Sequence, residues 1–213
     1  WSSDVCSSDP VLPFANLSAD KDQEYFADGM TDGLITDLSK ISGLDVVARN
    51  SVFTYKGRNV KVQEVAKDLA VTHVLEGSIQ RDGNQIRLNA QLIDGQTGKH
   101  LWAETFDRKL QDVFKLQDEL SGKIVGSLKV VLTPEEEVAL AKPPTEDIEA
   151  YERYLQAEAQ RLAYEWNEYY PAITNYRAAL SRDPAFVEAH LGLARALFEV
   201  WRRSIFNAQD LNM

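Results

Sequence analysis

The stretch Thr72 to Lys109, THVLEGSIQRDGNQIRLNAQLIDGQTGKHLWAETFDRK, narrows most sharply what this chain can fold into. It reads as three antiparallel strands joined by two turns. Asp82-Gly83 is a strong hairpin signal, because a two-residue type I′ turn needs positive φ at both central residues. With that dipeptide at the tip, Ile79 faces Ile86, Gly77 faces Leu88 and Leu75 faces Ala90 on an apolar face. Gln80 then pairs with Gln85, Ser78 with Arg87 and Glu76 with Asn89 on a polar one. One apolar and one wet face is what an antiparallel sheet packed on a single side requires. Gly95 to Gly98 makes the second turn. A four-residue loop there sets Leu92 against Leu101 and Ala90 against Ala103, again on the apolar face.

That register leaves Trp102 and Phe106 on the wet face, near Gln91 and Arg87. Aromatics on a solvent-facing sheet are either covered by another segment or form a contact patch. Trp102, Phe106, Arg87 and Gln91 are therefore the candidate interaction patch, with Arg87 placed to stack on one of the rings.

The flanking sequence supplies helices. Val11 to Phe14 reads as a short strand, at an edge because Pro13 cannot donate to a ladder. Phe26, Met30, Leu34, Leu38 and Ile41 recur at helical spacing and predict a helix over Gln23 to Ser39. Gly29 and Gly33 on it imply close approach of another backbone. Leu44 to Ala48 is a second strand, and Asn50 to Asn59 is ambiguous. Val62, Val65, Ala66 and Leu69 mark a second helix. Val113, Leu116, Leu120, Ile124 and Leu128 mark a third, from about Asp112 to Val131. The order β-α-β-α-β-β-β-α predicts a two-layer α/β domain, one mixed sheet with three helices on its apolar face.

Thr133, Pro134 and Glu136 form a capping-box start for a short helix, and Lys142-Pro143-Pro144-Thr145 reads as a linker. Beyond it the pattern is wholly helical: Glu146 to Trp166, Tyr170 to Arg182, and Pro184 to Trp201. Ala172, Tyr176, Ala179 and Pro184 fall at the spacing of the second helix of a tetratricopeptide repeat, and Leu191-Gly192 falls where a next repeat would begin. Leu155 and Ala157 fit only with a longer interhelical loop. A generic helical hairpin is the competing reading. The expected division is thus residues 10–132 as the α/β domain, 133–145 as short helix and linker, and 146–213 as truncated, all-α tetratricopeptide-like helices.

Residues 1–9, WSSDVCSSD, carry no apolar period and no signal-peptide pattern. They resemble the conceptual translation of a sequencing-library adaptor at the end of an assembled metagenomic fragment. On that reading they are not biological, and Cys6, the only cysteine, is spurious. The rest reads as an internal piece of a longer protein. A net charge of −10 with no Lys/Arg-rich run argues against a phosphate-backbone partner, and no apolar run approaches the length of a membrane helix.

Three stretches carry a resemblance to a known family: VLPFANLSADKDQEYFADGMTDGLITDLS, VVARNSVFTYKGRNVKVQEVAKDLAVTHVLEGSIQRDG and RLNAQLIDGQTGKHLWAETFDRKLQDVFKLQDEL. Covering residues 11–120 nearly continuously, they resemble the TolB-like domain that follows the catalytic domain of bacterial class III adenylate/guanylate cyclases. Tetratricopeptide repeats commonly follow it there. The same domain also follows winged-helix transcription-factor domains. The resemblance implies a regulatory or scaffolding role, partners that are proteins or an upstream domain of the same chain, and a cytoplasmic setting, or a periplasmic one if a membrane helix comes first. It implies no catalysis assignable to named residues.

The residues themselves offer little chemistry. His73, His100 and His190 lie on three elements, and no third ligand joins the first two. Asp20, Asp22 and Glu24 have the spacing of a calcium loop's start, but Tyr25 stands where that loop needs glycine and Thr31 where it needs glutamate. No phosphate loop, nucleophile elbow or zinc-binding helix motif is present, and Gly29 and Gly33 follow no strand. No cofactor site is read. The expected function is a non-catalytic interaction and regulatory segment of a bacterial signalling protein, with a cyclase as the leading reading. The alternatives are a transcription regulator's sensor region and a small-ligand-binding domain with enzymatic activity.

Overall fold

The computed structural model describes residues 8–163 and 165–210. It divides into two units, the first ending at Lys142 and the second beginning at Pro143. In the first, β4 (His73–Asp82), β5 (Gln85–Asp94) and β6 (His100–Lys109) form the antiparallel meander. The first turn is closed by Gly83 and Asn84, not Asp82 and Gly83, so Asp82 pairs with Gln85, Ile79 with Leu88 and Gly77 with Ala90. Gly83 has φ +53, and Gly at the first central place is the other favoured hairpin solution. A slip of two residues preserves every side chain's face, so Leu75, Ile79, Ile86, Leu88 and Ala90 are all buried.

The second hairpin changes faces. The Gly95–Gly98 loop forms as read, with Asp94 N–H donating to Lys99 O (2.9 Å) and the Asp94 carboxylate holding Thr97 N–H (2.7 Å) and Oγ1 (2.8 Å). Ile93 pairs with His100, but Leu92 pairs with Trp102. Leu101 is therefore an extra, bulged residue, 50% exposed, and one extra residue inverts the facing of everything after it. Trp102, Glu104 and Phe106 join the helix-covered face. Ala103, Thr105 and Asp107 join Gln91, Asn89 and Arg87 on the other.

A fourth strand, β2 (Ala15–Asn16), runs parallel to β4 at the sheet's edge. Upstream of it Val11 bridges Leu75. The pairing offset drops by one residue between Val11 and Ala15, across Pro13 and Phe14. Phe14 N–H there donates to Thr31 Oγ1 (3.0 Å), and Thr31 Oγ1 donates to Ala27 O (2.9 Å). That bond accounts for a fully buried threonine inside a helix. The helix is α1 (Glu24–Leu38), which buries Phe26, Met30, Leu34 and Leu38. α4 (Val113–Leu128) lies beside it and buries Val113, Leu116, Leu120 and Ile124.

Two further expectations need correction. The strand expected over Leu44 to Ala48 is β3 (Asp45–Val46). It pairs not with the main sheet but with β1 (Ser8–Asp9), in a separate two-stranded parallel sheet. The last two of the nine residues read as adaptor-derived thus take part in pairing; residues 1–7, Cys6 included, lie outside the described residues. The other correction concerns the helix-covered face. After the short helix α2 (Arg49–Val52), α3 (Val62–Leu69) does not join α1 and α4. Its Ala66 clusters with Val71 and Val74, and Val74 points to the face opposite Leu75. The polar face is therefore covered at one end.

α5 (Pro134–Leu140) begins with the capping box formed: Glu136 N–H donates to Thr133 Oγ1 (3.2 Å) and Thr133 N–H to Glu136 Oε2 (2.8 Å). Ser42 N–H also donates to Glu136 (2.7 Å), which ties α5 to the first unit.

The second unit contains α6 (Ile148–Leu162), α7 (Tyr169–Arg182) and α8 (Val187–Asp210). Its core is aromatic and small: Tyr151, Tyr176 and Phe186 with Ala157, Ala172, Ala179, Ala189 and Ala196. A Cβ on Gly192 would lie 2.4 Å from the Tyr176 ring, so α7 and α8 meet where no side chain larger than hydrogen fits. Buried Glu158 accepts from Tyr176 Oη (2.5 Å) and Arg161 Nη2 (2.5 Å).

Candidate functional site

Across the open part of the sheet runs a groove of about 910 Å³. Its floor is the polar face: Glu76 and Ser78 on β4, Asn89 and Gln91 on β5, Ala103 and Thr105 on β6. Cross-strand hydrogen bonds order the floor. Gln91 Nε2 donates to Glu76 Oε1 (2.5 Å), Asn89 Nδ2 to Ser78 Oγ (3.3 Å), and Thr105 Oγ1 to Asn89 Oδ1 (2.7 Å). Pairs of this kind follow from the register, which brings short polar side chains directly opposite one another. Beyond the groove, Arg87 pairs with Asp107 (2.7 Å).

One wall is the segment Tyr55 to Arg58 with Val60, and Val65 of α3. Lys56 Nζ sits between Glu24 (2.8 Å) and Asp28 (2.6 Å). Burial holds the Asp28 carboxyl above its ordinary range, with the Lys56 charge opposing the rise. Tyr55 Oη donates to Asp68, and that bond, ahead of burial, pushes the phenol's pKa up. Arg58 lies over the Tyr55 ring at 5.6 Å. The wall thus carries cations and a phenol, and the floor amides, hydroxyls and one carboxylate. Such a surface hydrogen-bonds polar partners; its floor pairs no nucleophile with a base. Among the described residues no group of three or more His, Cys, Asp or Glu is placed to hold a metal ion.

The bulge at Leu101 splits the candidate patch read from the sequence. Arg87 and Gln91 lie on the open face, with Gln91 in the groove floor. Trp102 and Phe106 lie on the opposite face. Their rings are 6.2 Å apart. Phe106 is 3% exposed, and half-buried Trp102 donates from Nε1 to Glu104 (3.2 Å), which also pairs with Lys123 of α4 (2.9 Å). The cation stacked near Phe106 is Arg108, at 6.0 Å, not Arg87. The groove wall was missed because Asn50 to Asn59 has no clear period. The β4 and β5 part of the floor was legible as the wet face of the meander, whereas Ala103 of β6 was read onto the apolar face.

Residues 8–123 match the family described as HilA/YgeH-like transcriptional regulator, second domain, where the sequence resemblance pointed to the TolB-like domain. The protein named Putative adenylate cyclase 3 of Rhizobium meliloti (strain 1021) is 46% identical over 184 residues. The match covers 86% of this chain and 31% of that protein, so the chain spans about a third of its curated relative. Among solved structures, TolB from Acinetobacter baumannii aligns at TM-score 0.44 and 16% identity, over 61% of this chain and 30% of that one. Lipoprotein GNA1162 from Neisseria meningitidis aligns at TM-score 0.43 and 22% identity, over 60% of this chain and 99% of that one.

Proposed function

The chain belongs to the family of HilA/YgeH-like transcriptional regulator second domains, and on that premise we propose that it is a non-catalytic interaction segment of a larger bacterial signalling protein with a nucleotide cyclase elsewhere in its length. The observation that carries this is the 46% identity to a protein named as an adenylate cyclase, over only 31% of that protein. The grooved polar face is the side that meets a protein partner or another domain of the same protein. Its self-paired amides and hydroxyls suit exchange of hydrogen bonds with a polar surface better than bond-breaking chemistry.

The helices from Ile148 onward act as tetratricopeptide-like repeats. Small residues at Ala172, Ala179, Ala189 and Ala196 and the close fit of Gly192 on Tyr176 support that reading. A cytoplasmic setting goes with the cyclase context; no helix among the described residues is long and apolar enough to cross a membrane.

The test mixes this chain with the part of the Rhizobium relative outside the 184 matched residues. Calorimetry should show binding, and Gln91→Lys with Thr105→Lys should weaken it without changing the far-ultraviolet spectrum. This chain alone should form no cyclic nucleotide from ATP or GTP. Turnover by the chain, or binding indifferent to both lysines, would overturn the proposal. The family description favours a second reading, the companion domain of a transcription regulator. Binding to a winged-helix domain in place of the cyclase part would support it.

A further inference from the structure

α8 is apolar on two opposite faces. One face carries Ala189, Gly192 and Ala196, all buried within the second unit. The other carries Val187, Leu191, Ala194, Phe198, Trp201 and Ile205, all exposed, with Phe198 54% and Trp201 57% accessible. At 100° per residue these six fall within about 80° of one another on the helix. Their spacing alternates four, three, four, three, four. That is the 3.5-residue period that packs one helix lengthwise along another, and it runs for roughly 27 Å. The Phe198 and Trp201 rings already contact each other, with centroids 5.7 Å apart.

We propose that this seam is a dimer interface in which α8 packs antiparallel on α8 of a second copy of the chain. Antiparallel packing about a two-fold axis near Ala196 leaves no seam residue unmatched. Val187 meets Ile205 of the second copy, Leu191 meets Trp201, and Ala194 meets Phe198, so large side chains face smaller ones. The flanks agree. On one side Glu188 of each copy comes opposite Arg202 of the other, and on the opposite side Leu197, 41% exposed, comes against its own copy. Arg202 already pairs with Glu199 in its own helix (2.6 Å), so Glu188 adds a second carboxylate to it. Arg195 faces its own copy at the centre, the one like-charge contact of the arrangement. A parallel pairing would set Phe198 against Phe198 and Trp201 against Trp201, and would bring Glu188 to no arginine of the other helix.

Sedimentation equilibrium of the whole chain, up to about 100 µM, should show a monomer–dimer equilibrium. Phe198→Glu should abolish the dimer and leave helix content unchanged, because the side chain is exposed. Glu188→Arg and Arg202→Glu should each weaken dimerisation about tenfold, and the double exchange should restore it. In a Cys6→Ser background, Leu197→Cys should cross-link across the axis and Val187→Cys should not. A chain that stays monomeric throughout overturns the proposal, even if it binds a supplied amphipathic helix. So does a dimer indifferent to Phe198→Glu, or one cross-linked through Val187→Cys alone.

Discussion

Phe106→Ala tests the bulge on which the assignment of faces depends. Phe106 is 3% exposed, opposite fully buried Leu88. Withdrawing a full phenyl ring forfeits about 2–3 kcal/mol of transfer free energy. If about 60 Å³ of the space stays unfilled, the cavity adds about 1.4 kcal/mol. The sum, about 4 kcal/mol, lies within the usual range for emptying an aromatic core site and is a large part of a domain's stability. Thr105, its neighbour, lies on the open face and loses one hydrogen bond to Asn89 in Thr105→Ala, about 1 kcal/mol or less. Trp102→Ala should fall between them, because Trp102 is half-buried. The assay is urea unfolding of the full chain, with hydrogen exchange of the β4–β6 amides assigning the loss to the first unit. Deleting Leu101 should be tolerated, since removing the bulged residue leaves a regular ladder with every other face preserved. Comparable costs for Phe106→Ala and Thr105→Ala, or unfolding on deletion of Leu101, would refute the register argued here.

Other outcomes follow from single features. The Glu136 carboxyl is held at about 2, against an ordinary 4.5, by the backbone N–H groups of Thr133 and Ser42; a depressed carboxylate stabilises fully above its unfolded pKa and loses this as pH falls through the folded one. Glu136→Gln should therefore flatten the stability profile between about pH 5 and pH 2, as acid titration of α5 exchange rates would show. Gly192→Ala gains about 1 kcal/mol of helix propensity but drives a methyl to 2.4 Å from a fully buried ring. Net destabilisation of α6–α8 is expected by thermal melting, and a stabilised variant would contradict the close approach. Arg161→Met leaves Glu158 buried with only the Tyr176 hydroxyl, and should cost about 3–5 kcal/mol in urea. Tyr176, whose pKa is raised by burial and then by Glu158, stays protonated across the ordinary range, so this cluster should add no alkaline transition below about pH 10.

By itself the sequence determined the local elements, because the forces that set them act within a few residues. Alternation along β4 and β5 fixed which of their side chains are wet, and helical spacing marked the buried stripes of α1 and α4. The capping box at Thr133 was legible for the same reason. A mistaken first turn did no harm, because a slip of two residues keeps every facing. What the tertiary structure decided was where a single residue could be inserted. β6 reads Leu101, Trp102, Ala103, Glu104, Thr105, Phe106, and its apolar residues fall on both parities, so nothing local chooses between two facings. The choice is made by burial: the bulge at Leu101 puts Phe106 against Leu88 and beneath α4 while Thr105 reaches Asn89. The placement of α3 was likewise beyond local reading, since an amphipathic stripe says that a helix must pack and not on which side of a sheet. That side, with the Tyr55–Arg58 segment it brings, turns a polar sheet face into a groove.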